Sequence, residues 1–189
     1  MLRHVAFASV LAAGLILPAA SQDSDSKNKS FDVRSSVGDL HVGADADAKK
    51  VGLPLYPGAQ LKTDDENKDQ ANFSVLTEAF GLKLVVANYV SPDAPGKIVD
   101  FYRDKLKKYG KVLECHSQKH GGNVDVHEDN KDSGKSNELK CDEDSGPVTE
   151  LKVGTEDNQR VVAVEPGDSN KGSSFALVYV HTRGKKGDI

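Results

Sequence analysis

The sequence predicts an α+β protein in which an antiparallel β-sheet carries one main amphipathic helix packed on one face. Residues 93–109 are the segment in which apolar side chains recur most strongly at steps of three and four, the period of a helix. Runs in which apolar and polar residues alternate, as is typical of strands, lie both before and after this segment. Strands on both sides of a single helix favour one layer of sheet and one layer of helix.

The first 21 residues have the features of a secretory signal peptide. Their apolar run, residues 5–17, is shorter than the roughly 20 residues that cross a membrane comfortably. Ala19 and Ser21 are small residues at the −3 and −1 positions of a cleavage site. We therefore expect a periplasmic or secreted protein with no membrane span after cleavage, and an uncleaved anchor is the alternative. The polar residues 22–30 predict a disordered leader.

Two β-hairpins are predicted in the first half of a single domain over residues 31–182. The first hairpin begins at this boundary and is expected to turn at Gly38–Asp39. The second, which is the strongest strand pair in the chain, covers residues 71–79 and 82–90. Between the hairpins, residues 44–50 predict a linker or a short helical turn.

The segment GLPLYPGA, residues 52–59, is the least generic part of the sequence. Its two prolines fix φ and push the residues before them into extended conformations, and Pro57–Gly58 is a strong turn signal. The structural interpretation is a rigid corner that leads into the sheet. The functional interpretation is an interaction corner formed by Leu53, Leu55, Tyr56 and Pro57.

The main helix is predicted with its ends. Asp93 is the expected N-cap, Pro95 is tolerated in the first turn, and Gly110 can take the left-handed conformation that ends a helix. One apolar stripe of the helix should face the sheet. The stripe consists of Ile98, Phe101, Tyr102, Leu106 and Tyr109. It is expected to cover Val75, Leu84, Val86 and apolar residues of the later strands.

After the helix, the sequence predicts strands that are interrupted by a long polar segment. Short strands are considered at residues 123–127 and 137–141 of this segment. A flexible tail is expected at residues 183–189. The principal strands are predicted at residues 111–115, 148–153, 160–164 and 174–181.

Cys115 and Cys141 are predicted to form a disulfide. They are the two cysteines of the chain, and cysteines in an exported protein usually pair because the compartment is oxidising. Closing a loop of this length stabilises a fold by roughly 3 kcal/mol in the chain-entropy model. The crosslink would hold the polar segment between the cysteines against the sheet.

A metal site in the same polar segment is the alternative. His116, His120 and His127 lie between the two cysteines, and imidazole groups together with a carboxylate suit copper or zinc. The spacing matches no standard zinc finger, and histidines in a polar loop are more often simply solvated. The main prediction is therefore no metal and no cofactor.

Composition excludes several classes of function. The net charge is −4, whereas nucleic-acid binding needs concentrated positive charge. The chain has no tryptophan, and aromatic residues make up 6% of it, which leaves little material for stacking bases or sugars. None of the common nucleophile, zinc-hydrolase, dinucleotide or dithiol motifs is present, which argues against an enzyme.

Seven short segments of the chain carry a resemblance to known proteins. They are VGDLHV at 37–42, GLPLYPGA at 52–59, YVSPD at 89–93, Phe101–Tyr102, Tyr109–Gly110, Cys115 and FALV at 175–178. Together these segments resemble a family of uncharacterised exported bacterial proteins of the acidobacterial type. The resemblance implies an exported, compact α+β domain, but it brings no catalytic or binding residues to transfer. We therefore predict a non-catalytic exported domain that binds an unknown protein or envelope partner, with periplasmic copper or zinc binding as the alternative.

Overall fold

One antiparallel β-sheet forms the framework of the protein. The computed structural model describes residues 30–62, 70–77, 80–118, 137–142, 144–167 and 171–184. The strands are β1 (Ser30–Ser35), β2 (Gly38–Gly43), β3 (Gln60–Leu61), β4 (Gln70–Leu76), β5 (Phe80–Ser91), β6 (Leu113–Ser117), β7 (Val148–Thr155), β8 (Asn158–Pro166) and β9 (Ser173–Gly184). Within the described residues the strand order is β1-β2-β4-β5-β9-β8-β7-β6, and β3 pairs with the end of β5. The prediction of an antiparallel sheet is confirmed.

Two helices accompany the sheet in the described part of the chain. Helix α1 (Ala48–Val51) is a single turn, and α2 (Pro95–Leu106) continues into a 3₁₀ turn at Lys107–Tyr109. The prediction of one main helix is therefore confirmed. No helix in these residues is long and apolar enough to cross a membrane. The predicted signal peptide, most of the leader and the last five residues lie outside the described residues.

The turn of the first hairpin lies two residues earlier than the sequence suggested. Ser35 pairs with Gly38, so Ser36 and Val37 form the turn, and Gly38 already belongs to β2. Gly38 has a φ of +153°, and a Cβ atom there would lie 2.5 Å from the carbonyl oxygen of Leu76. The glycine is thus required by the close approach of β4 rather than by the turn.

The start of α2 also differs from the prediction. Its N-cap is Ala94, which makes no side-chain capping hydrogen bond, and Pro95 stands in the first turn as expected. The carboxylate of Asp93 instead accepts hydrogen bonds from Tyr56 Oη at 2.9 Å and from Lys97 Nζ at 2.8 Å. Contacts with another part of the chain have replaced the local cap. Gly110 ends the 3₁₀ turn with a φ of +139°.

The buried residues form two clusters on opposite faces of the sheet. The four buried residues of α2 share the first cluster with Val85, Ala87 and Tyr89 of β5 and with apolar residues of β7, β8 and β9. Leu84 and Val86 pack in the second cluster, so the predicted set of covered strand residues is wrong. Apolar residues occur on both faces of β5, so the sequence of this strand cannot indicate which face meets a helix. The buried residues of α2 are Ile98, Val99, Tyr102 and Leu106.

A cation–aromatic contact joins the end of the helical segment to the sheet. The guanidinium carbon of Arg160 on β8 lies 3.9 Å from the ring centre of Tyr109 and 4.6 Å from that of Tyr179. The Nε atom of Arg160 also donates a hydrogen bond of 3.0 Å to the carbonyl of Val51 in α1. One partly buried side chain therefore links α1, the 3₁₀ turn and two strands.

Candidate interaction surface

The GLPLYPGA corner is built mainly as part of the core. Leu53 and Tyr56 are buried in the first cluster. The Tyr56 amide donates to the hydroxyl of Tyr102 at 3.1 Å, and that hydroxyl donates to the carbonyl of Pro54, also at 3.1 Å. Because the segment has no regular backbone pairing, these side-chain hydrogen bonds hold its shape. This geometry fits the rigid corner that the prolines predicted.

Only part of the predicted interaction corner faces solvent. Leu55 keeps 47% of its surface exposed, and Pro57 is exposed as well. The other two candidate residues, Leu53 and Tyr56, are not accessible to a partner. Single exposed apolar residues are common on protein surfaces, so the corner by itself does not mark a binding site.

The predicted disulfide is present and secures one end of the sheet. Cys115 on β6 is bonded to Cys141, with their Cα atoms 5.4 Å apart. Residues 137–141 do not form the short strand that was considered. They make one isolated bridge, Glu138 with Thr155, and a second bridge, Asp144 with His116, lies along the edge strand. The disulfide and the bridge to His116 thus place Cys141 and Asp144 beside the edge strand β6.

A buried polar cluster lies on the same side of the sheet as the disulfide. Ser117 Oγ donates to Glu150 Oε1 at 2.7 Å, and Lys152 Nζ lies 3.5 Å from Glu150 Oε2. Lys152 Nζ also contacts the Lys140 carbonyl at 3.5 Å and Asp142 Oδ2 at 3.9 Å. Since Glu150 and Lys152 are both buried, each charge is compensated by the other. The cluster therefore attaches the crosslinked segment to the sheet.

The described residues give little support for the alternative of a metal site. His116 lies on β6, and its backbone takes part in the bridge to Asp144. His120 and His127 lie outside the described residues, as does the strand considered at residues 123–127. Among the residues that the structure describes, no group of three or more histidine, cysteine or acidic side chains could hold a metal ion. Both cysteines are used in the disulfide.

A polar network is centred on His41 of β2. Its Nδ1 atom lies 2.8 Å from Asp32 Oδ1 on β1, and its Nε2 atom lies 3.2 Å from Asn72 Nδ2 and 3.6 Å from Asp45 Oδ1. The hydrogen bond to Asp32 raises the pKa of His41 above its ordinary value. The hydrogen bond from Lys50 lowers the pKa of Asp45 to about 2. The two carboxylates stabilise the charged form of His41, whereas the amide nitrogen of Asn72 beside Nε2 can donate only to the neutral imidazole.

Among the described residues, no side-chain nucleophile is paired with His41. Nucleophilic catalysis of the serine–histidine type needs a nucleophile within hydrogen-bonding distance of the imidazole. Ser74 is directly opposite His41 in the β2–β4 register, but within the described residues its hydroxyl makes no hydrogen bond to the imidazole. Both ring nitrogens of His41 face amide or carboxylate groups instead. The network ties β1, β2 and β4 to the segment before α1.

Among the described residues, apolar side chains line one face of strands β1, β2, β4 and β5, opposite the face of the first buried cluster. We call it the outer apolar face. Phe31 is 61% exposed, Val42 is 43% exposed and Val33 is 40% exposed. The register pairs Phe31 with Val42, Val42 with Phe73, and Phe73 with Leu84, so one apolar row crosses four strands. The exposed members of the outer apolar face are Phe31, Val33 and Val42. Its partly buried members are Leu40, Phe73, Val75, Leu82, Leu84 and Val86, and the last three pack against the second cluster.

The outer apolar face ends at a free strand edge. All six residues of β1 are exposed, and within the described residues no strand lies beyond β1. The alternation that places Phe31 and Val33 on one face of the strand predicts a hairpin. Whether such a face is covered depends on the strand order, which alternation does not reveal.

Comparison with known proteins leaves the family open. No family model matches the chain, and neither a curated protein nor a solved structure matches it. Membership of the exported bacterial family therefore stays a prediction from the sequence segments that resemble it.

Proposed function

We propose that this protein is an exported, non-catalytic domain that binds a protein partner in the periplasm or the envelope through its outer apolar face. In this proposal α2 covers one face of the sheet, and β1, β2 and β4 present the other face to the partner. The observation that carries the proposal is the apolar row from Phe31 to Leu84, which ends at a free edge. Contiguous apolar surface of this kind marks interaction sites in soluble proteins.

The energetics favour a protein partner. Burying the exposed fractions of Phe31, Val33 and Val42 would contribute on the order of 1 kcal/mol each. Backbone groups on the outer edge of β1, with which no described strand pairs, would add hydrogen bonds to an extended segment, which is how a strand joins the edge of a sheet. The disulfide supports the exported location because such bonds persist in oxidising compartments.

Site-specific photocrosslinking in the exporting cell tests this proposal. Benzoylphenylalanine is placed at Phe31 or Val42 of the outer apolar face, at Leu55 of the GLPLYPGA corner, and at the exposed Lys107 beyond α2 as a control. We expect protein adducts from positions 31 and 42 and none from position 107. Adducts from position 55 alone would move the binding site to the corner, and equal labelling at every position would refute a specific surface.

The metal-binding alternative has its own test. The native mass of the purified protein, measured with and without added copper or zinc, shows whether an ion is bound. An adduct of one metal ion that is lost in a His116→Ala, His120→Ala and His127→Ala variant would support the alternative. An unchanged mass at stoichiometric metal would leave partner binding as the function.

A further inference from the structure

We infer that the partner at the β1 edge is a second copy of this chain, which pairs antiparallel with β1 about a twofold axis through Val33. This inference rests on the proposed function, because it names the occupant of the same surface. Pairing of this kind would extend the sheet across two copies. It would also join the two outer apolar faces into one surface.

The two ends of the sheet differ in how their edges are treated. At β6 the disulfide of Cys115 and the bridge between His116 and Asp144 lie along the edge. At β1 the register with β2 is unbroken from Ser30 to Ser35, so the strand has no bulge, and it contains neither proline nor lysine. Prolines, charged side chains and bulges are the usual devices that prevent edge-to-edge association. Of these, β1 has only Asp32 and Arg34, whose charges are opposite.

The charges of β1 are complementary to those of a second β1. Asp32 and Arg34 share one face of the strand, since they are two residues apart. In an antiparallel pair centred on Val33, Asp32 of each copy lies opposite Arg34 of the other, so two opposite-charge pairs form. Registers centred on Asp32 or on Arg34 would instead place like charges opposite each other, which destabilises a strand pair.

Both charged groups are accessible for this pairing. Asp32 is 55% exposed in its side chain and uses Oδ1 for His41. Arg34 lies opposite Asp39 of β2 in the register, but it makes no ion pair within the described residues. The apolar residues fit as well, because Val33 meets its own copy and Phe31 lies opposite Ser35 on the outer apolar face. The register centred on Val33 therefore pairs opposite charges on one face of β1 and brings apolar residues together on the other.

Charge-reversal variants test the register directly. D32R gives a strand with two arginines and R34D gives one with two aspartates, so each should repel its own copy. We expect the dissociation constant of the homodimer, measured by sedimentation equilibrium, to rise at least about tenfold for each variant. An equimolar mixture of D32R and R34D should form a heterodimer as tight as the wild-type dimer, because every arginine then meets an aspartate. The D32R/R34D double variant should dimerise with itself for the same reason.

Each outcome decides the inference. Rescue in the mixture shows that the single variants are folded and confirms the centred register. Homodimers of the single variants that are as tight as the wild type would overturn it. So would a mixture that stays monomeric while the wild type dimerises, provided that circular dichroism and urea unfolding show that D32R, which loses the carboxylate facing His41, keeps the wild-type fold. If the wild type is monomeric but position 31 crosslinks to a different protein, the second copy is refuted and partner binding stands. If the wild type is monomeric and position 31 gives no adduct, both proposals fail.

Discussion

Replacing Tyr102 by phenylalanine tests whether side-chain hydrogen bonds hold the GLPLYPGA corner. The ring of Tyr102 is fully buried, and its centre lies 5.7 Å from that of Phe175. Its hydroxyl accepts from the Tyr56 amide and donates to the Pro54 carbonyl, both at 3.1 Å. Burial raises the pKa of Tyr102, so the hydroxyl stays protonated and able to donate at neutral pH. Phenylalanine keeps the packing and removes only these two hydrogen bonds.

The stability lost in Y102F depends on which buried groups lose their hydrogen-bond partner. A buried amide that loses its acceptor costs about 1–3 kcal/mol, and Tyr56 is buried. Pro54 is exposed, so water can replace the hydroxyl at its carbonyl and the cost there is small. We therefore expect Y102F to lower the free energy of unfolding by about 1–3 kcal/mol.

Tyr109 provides a matched control in the following turn. Its hydroxyl donates to the carbonyl of Gly52 at 2.5 Å, at the start of the same corner. Lys108 Nζ also lies 3.4 Å from that oxygen, so Y109F leaves it with a donor and should cost less than about 1 kcal/mol. Urea unfolding of the oxidised proteins measures both variants, as a shift in midpoint at constant slope. A Y102F variant that is no less stable than Y109F would refute the reasoning.

Three further predictions concern pH, the crosslink and one glycine. Because the pKa of His41 is higher in the folded protein than its ordinary value of 6.5, protonation of His41 stabilises the fold. This stabilisation is complete at a pH below 6.5 and is lost as the pH rises through the pKa of the folded protein. The gap in unfolding free energy between wild type and H41Q should therefore be larger at about pH 5.5 than at about pH 8.5, and an unchanged gap would contradict this. Replacing both cysteines by alanine should cost about 3–4 kcal/mol in urea unfolding, and a stability equal to that of the oxidised wild type would argue against it. Gly146 has a φ of +153°, and a Cβ atom there would lie 2.0 Å from the carbonyl oxygen of Ser117, so G146A should lower the free energy of unfolding by more than about 2 kcal/mol. The control G96A, whose added Cβ atom would meet open space, should leave the stability unchanged or raise it.

Much of the local structure was predictable because it depends on neighbouring residues. The period of residues 93–109 predicted α2, and alternation predicted the strands around it. Asp93 shows the limit of such reasoning: its sequence position suits an N-cap, but its carboxylate binds Tyr56, which is 37 residues away in the chain. A contact between distant segments can displace a local preference without any sign in the sequence.

The candidate surface was hidden from the sequence for a similar reason. The sequence indicates Leu53 and Tyr56 as candidates for an interaction corner, whereas they lie in the core. The sequence predicts only a hairpin for the segment of Phe31 and Val33, and both residues are exposed on the outer apolar face. The type of an apolar residue does not reveal whether it is buried or exposed. Its burial depends on the elements that pack around it.

By itself the sequence determined the kinds of elements, their approximate bounds and the pairing of Cys115 with Cys141, because backbone periodicity and cysteine count are local or compositional properties. The tertiary structure alone decided the strand order, the face of β5 that shares a cluster with α2, and the position of β1 at an open edge. These features depend on pairings between segments far apart in the chain. The side-chain period of two is the same on either face of a strand, so it cannot specify which face another element covers.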